Sequence, residues 1–228
     1  MRHILYFYLL SIVKNKYFLF PVILLVAAIL KDIFGYIGLI NQYQYWMLTY
    51  VIRILLIPTF LLLIHIEMGV KEAIKEFYYT LPYDREILFV TESLSSIFIV
   101  ATFLLGITYN EFFSVGIDLY LLLKLVIGIF LIGFSVTILS DLNWSTVLKL
   151  LFTILILPLT IDTMGYIYPT MYMEILNFVM ELMPHRILIY AIGLNHIQIS
   201  SFNVYASALY DAILIYIGLW YKERLNIL

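Results

Sequence analysis

Residues 118–139 read DLYLLLKLVIGIFLIGFSVTIL, and from Leu125 to Leu139 no side chain is charged. At about 1.5 Å of rise per residue, a helix over this stretch crosses a hydrocarbon layer of roughly 30 Å. Runs of similar length recur along the whole chain, separated by short polar clusters. The chain is 64% hydrophobic and 12% charged, with a mean hydropathy of +1.02. Soluble domains average roughly 45–50% apolar and about 25% charged. No single core within 228 residues absorbs that excess, so lipid is the solvent for much of it. The sequence predicts an all-α membrane protein forming one domain.

Outward from 118–139, five further spans are expected at about 17–37, 46–67, 88–108, 146–164 and 203–221, giving six. Residues 3–15, too short to span, read as an amphipathic helix lying in the interface. Residues 165–202 are apolar but broken by Pro169, Glu174, Glu181, Pro184 and Arg186. Two half-length helices, within 171–194, fit there better than one span. Lys14-Asn15-Lys16 interrupt the first apolar stretch and no small-residue cleavage site follows, so a retained segment is expected rather than a signal peptide. Arg2, Lys14, Lys16, Lys71, Lys75, Arg85, Lys222 and Arg224 fall on one side, against Lys31 and Arg186 on the other. The positive-inside bias then puts both termini in the cytoplasm.

Several chemistries lack their signatures. No phosphate-binding G-x-x-x-x-G-K-[ST] loop, H-E-x-x-H zinc motif or G-x-S-x-G nucleophile turn occurs. Without cysteine there is no thiolate metal site, the four histidines have no ligand spacing, and no metal site is expected. A net charge of −2 gives no footprint for nucleic acid. No internal repeat is visible, which argues against a transporter built from two similar halves.

The densest charged segment is 71–86. Glu76, Phe77, Tyr78, Thr80, Leu81, Pro82, Asp84 and Arg85 alternate charge with aromatic groups around a proline step. Pro82 disfavours helical geometry at Leu81. The segment reads as a short helix along the membrane surface that can dock a soluble partner, or as an ordinary charged inner loop.

With that segment in place the chain resembles an ABC-2 type permease, the membrane subunit of certain ATP-binding-cassette exporters. The stretch before Tyr17 is similar to that family's elbow helix. Thr80-Leu81-Pro82 followed by Asp84-Arg85-Glu86 resembles its coupling loop between spans two and three. The half-length helices at 171–194 look like its re-entrant external helices, and Tyr221-Lys222-Glu223-Arg224 like its basic exit. The resemblance implies two permease copies, or this chain and a sister, in a bacterial cytoplasmic membrane. Separate ATPase subunits bind ATP and Mg; this chain binds no cofactor and is not itself an enzyme. The coupling residues are then Glu76 to Arg85 as named. An amphipathic or hydrophobic cargo, such as a peptide toxin, bacteriocin or antibiotic, suits the small apolar chain. A non-transporting immunity protein and a six-span intramembrane enzyme are the alternatives.

Arg53, Lys124 and Asp211 fall inside spans, where each charge costs roughly 2.5–3.5 kcal/mol. They are expected to form a polar patch on the substrate path, to pair with one another, or, for the two bases, to snorkel outward. His65 and Glu92 either meet near the coupling segment or sit at headgroup level. Pro58 and Pro158 are candidate kinks, and Trp46, Trp144 and Trp220 are expected interface anchors.

Overall fold

The computed structural model describes residues 2–80, 85–115, 119–158, 160–161, 172–191 and 199–224. Side chains at 2–4, 74–80, 108–115, 121, 172–176 and 223–224 lie outside that description. Among the described residues every regular element is helical. The helices are α1 (Arg2–Val13), α2 (Leu19–Tyr36), α3 (Gln42–Thr80), α4 (Arg85–Val115), α5 (Leu119–Leu139), α6 (Trp144–Leu151), α7 (Tyr172–Glu181), α8 (His185–Ala191) and α9 (Ser201–Arg224).

Five stretches are long and apolar enough to cross a membrane: Lys16–Tyr36, Gln42–Ala73, Arg85–Ile107, Leu122–Leu139 and Ser201–Lys222. They cover five of the six expected spans. At the remaining one the described apolar helix is shorter, Trp144–Ile156. There α6 widens into a π-helical turn at Phe152–Ile156 just before Pro158, whose ring cannot fit a regular turn below it. Residues 162–171 lie outside the described residues.

Local signals explain the helix ends. Gly38, at φ +72°, ends α2: Leu39 N–H donates to Phe34 O (2.9 Å) and Gly38 N–H to Gly35 O (3.3 Å). This is the paired hydrogen bonding of a Schellman motif. Asn41 and Gln44 then start α3 reciprocally, each side-chain oxygen accepting from the other's backbone N–H at 2.8 and 3.0 Å. Asn143 caps α6 through Thr146 N–H at 2.9 Å. α3 continues through Pro58, where the Thr59 hydroxyl donates to the Leu55 carbonyl at 2.7 Å.

α3 also runs on without interruption through Lys71 to Thr80. No separate surface helix begins at Lys71: the expected coupling segment is an extension of the span as far as Thr80. Leu81, Pro82 and Asp84 lie outside the described residues, and α4 resumes at Arg85.

Small residues set the closest helix contacts. A Cβ on Gly133 of α5 would meet Ile97 Cα of α4 at 2.9 Å, and one on Gly128 would meet Ala191 Cβ of α8 at 2.5 Å. Gly218 of α9 likewise accepts the Phe89 ring of α4. With no water-driven force between helices in lipid, such close backbone approach supplies much of the attraction. One core joins α1 through Tyr8 and Ile12 to α3, α4 and α5, with Leu56, Val100, Leu104 and Leu125 all buried.

α5 and α9 run parallel and in register. Tyr120 donates to Ser201 at 3.3 Å near one end, and Lys222 donates to Asp141 at 3.4 Å at the other. Both pairs are separated by 81 positions in the chain, so a residue of α5 and the residue 81 further on share a depth.

Candidate functional site

The lower ends of four of these helices, taking lower as the Lys71 end, bring charged side chains together inside the bundle. α3 contributes Glu67 and Lys71, one turn apart on one face. α4 contributes Glu92 and, one turn on, Ser96. Thr137 comes from α5, and Asp141 from the turn that follows it. α9 contributes Lys222.

Lys71 is the hub. Its Nζ lies 2.8 Å from Asp141 Oδ1, 3.3 Å from Glu92 Oε2 and 3.9 Å from Glu67 Oε1, and it also donates to the Thr137 carbonyl at 2.7 Å. Lys222 Nζ closes the ring, 3.1 Å from Glu92 Oε2 and 3.3 Å from Asp141 Oδ2. Two ammonium groups thus serve three carboxylates. Glu67 is the carboxylate furthest from a lysine, and neutral hydroxyls hold it: Tyr8 of α1 donates to Oε1 and Ser96 to Oε2, both at 2.9 Å. Thr137 in turn lies 3.1 Å from Ser96 Oγ.

Burial makes these contacts matter. Glu67 and Glu92 are 1% and 2% exposed, and the Lys71, Asp141 and Lys222 side chains only 10–15%. Removing one partner from a buried pair leaves the other charge uncompensated, at about 3–5 kcal/mol. The cluster therefore locks α3, α4, α5 and α9 at one end, and α1 joins it through Tyr8. The small cavity beside it, bordered by Glu67, Ser96, Ile12 and Val136, has room for about one water molecule.

The predicted site residues are dispersed. Arg53 is buried on α3, one turn from Thr49. Thr49 accepts from Lys31 at 3.0 Å, and Lys31 pairs with Asp32 at 3.0 Å. Tyr45 completes that group by donating to Asp32 at 2.9 Å. Lys124 sits over the rings of Tyr120 (4.2 Å) and Tyr190 (5.3 Å). Asp211 lies in the middle of α9. Among the described residues no hydrogen bond or ion pair joins Arg53, Lys124 and Asp211 to one another.

His65 and Glu92 do not meet either. His65 faces outward, its ring 5.6 Å from Tyr17 and 5.7 Å from Trp144, whereas Glu92 points inward to the two lysines. Of the coupling residues, Arg85 opens α4; Glu76, Phe77, Tyr78 and Thr80 belong to the last turns of α3, with side chains outside the description. No group of three or more potential metal ligands occurs among the described residues.

In the sequence Lys71 stands in the charged segment and Lys222 at the basic exit, with nothing local to tie them to Glu92 or Asp141. A signal existed. Glu67 and Lys71, Glu92 and Ser96, and Thr137 and Asp141 are each polar pairs four residues apart at the same end of successive spans, the spacing that puts both on one helix face. Comparison with known proteins brings no match: no family model fits the chain, and no curated protein or solved structure is similar to it.

Proposed function

We propose that this chain is the membrane-spanning permease subunit of an ATP-driven exporter of the ABC-2 type. It would move an amphipathic or hydrophobic cargo such as a peptide toxin, bacteriocin or antibiotic. The observation that carries the reading is the position of the charge cluster. It lies at the foot of α3 and α4, the two helices joined by the segment 71–86 that the resemblance makes the contact with the ATPase.

In this reading the cluster end is cytoplasmic and α1 is the elbow. The region 146–164 is the fifth of six spans, and α7 and α8 are the re-entrant helices on the outer side. Two ATPase subunits bind ATP and Mg and dock on Glu76 to Arg85. A pull on that segment is passed through Lys71 to Glu92, Asp141 and Lys222, so that α4, α5 and α9 move with α3. The permease itself breaks no bond. It offers two conformations with different access, and ATP binding biases their populations.

The test is affinity purification in mild detergent from native cells. A stoichiometric P-loop ATPase is expected, and it should be lost when Asp84 and Arg85 are both replaced by Ala. A folded chain that brings down no ATPase overturns the assignment and favours the immunity-protein reading.

A further inference from the structure

Asn203, Ser207 and Asp211 are spaced by four along α9 and so share one face. Each has an oxygen shielded from solvent with no hydrogen-bond partner: Asn203 Oδ1, Ser207 Oγ and Asp211 Oδ1. Asn203 and Ser207 are fully buried. The Asn203 amide nitrogen donates to the Glu181 and Met183 carbonyls at 2.8 and 3.0 Å, which fixes the amide and leaves its oxygen as the spare acceptor.

The neighbouring cations are committed elsewhere. Lys222 lies eleven residues further along α9, ~16 Å at helical rise, and is held by Glu92 and Asp141. By the register of α5 with α9, Lys124 is level with Tyr205, ~9 Å from the depth of Asp211, and lies over Tyr120 and Tyr190. Among the described residues no cation pairs with Asp211. An ionised carboxylate at such depth is costly, and so is each buried acceptor without a donor. The Asp211 carboxylate calls for a cation, and the Ser207 hydroxyl one turn away can accept a further hydrogen bond; an ammonium group has three N–H donors and no acceptor.

We propose that Ser207 and Asp211, one turn apart on α9, form an intramembrane acceptor site for the ammonium group of an amphipathic cargo, with Asn203 a further turn along the same polar face. The assignment of that ammonium to cargo rests on the exporter reading, whereas the site rests on α9 alone. Binding is therefore measured on the purified full-length chain in lipid nanodiscs, without an ATPase, and its result is separable from that of the purification above.

The probes are decylammonium chloride, decanol and sodium decyl sulfate, followed by thermal unfolding. Decylammonium is expected to raise the midpoint saturably, and the other two are not. In Asp211→Asn its affinity should fall about tenfold or more, the loss of one charge-assisted hydrogen bond. Ser207→Ala, a small change that carries the test if Asp211→Asn fails to fold, should weaken binding about threefold. Equal response to decanol, or undiminished response in both variants, overturns the proposal. A response to NaCl over choline chloride at equal ionic strength, with none to decylammonium, overturns the assignment to cargo in favour of an inorganic cation.

Discussion

Charges at the end of the bundle and charges in its middle are treated in opposite ways. At the Lys71 end, Glu67 and Lys71 of α3, Glu92 of α4, Asp141 after α5 and Lys222 of α9 each lie within 3.9 Å of an opposite charge. In the middle, Asp211 stands on α9 with no ion pair among the described residues, and its Oδ1 has no hydrogen-bond partner there. The first arrangement is a fastener complete within the chain. The second leaves a demand that something outside the chain can meet. Depth alone does not distinguish structural from functional charge in a membrane bundle; the state of the partner does.

The contrast is broken most directly at Lys71. Lys71→Met keeps the length and apolar stem but removes the cation from three carboxylates. Its expected cost is about 3–5 kcal/mol, read as unfolding free energy in mixed micelles. A loss below about 1 kcal/mol would mean that the cluster is wet and does not fasten the helices. Lys222 touches two carboxylates, so Lys222→Met should cost less, about 3 kcal/mol. Combined with Glu92→Gln it should show a coupling energy of about 1–3 kcal/mol, since the two groups share one contact. Strict additivity would show that the 3.1 Å approach of Lys222 to Glu92 contributes nothing to stability.

Five of the spans were legible because the hydrophobic signal is carried by whole segments and survives any detail of packing. The turn at Gly38 and the cap at Asn143 use residue types with local preferences, so such ends also announce themselves in sequence. The charge cluster was not assembled from sequence. Its members come from positions 67 to 222, and taken singly Lys71 and Lys222 look like basic residues obeying the positive-inside rule, the three carboxylates like polar residues at a span end. What joins them is close packing, Gly133 against Ile97 and Gly218 against Phe89, which brings α5 and α9 near enough to α4 for the side chains to touch. Arg53, Lys124 and Asp211 share a depth range, but lateral position is set by which helices pack together, and depth carries no information about that.

The sharpest comparison makes one chemical change at two places. Asp141→Asn removes the negative charge that both lysines approach, at 2.8 and 3.3 Å. Lys71 keeps Glu92 and Glu67, so the loss should be moderate, about 2 kcal/mol. Asp211→Asn removes a charge that no cation pairs with among the described residues. The neutral amide is easier to hold in a low-dielectric interior, so in the absence of ligand this variant should be as stable as the parent, or up to about 1 kcal/mol more stable. Unfolding of the two variants side by side, in the same micelles, decides the matter. Opposite signs mean that the end charges serve the fold and that Asp211 is retained at some cost for another purpose. If Asp211→Asn loses as much as Asp141→Asn, the middle carboxylate has a structural partner after all, and the distinction between the two regions falls.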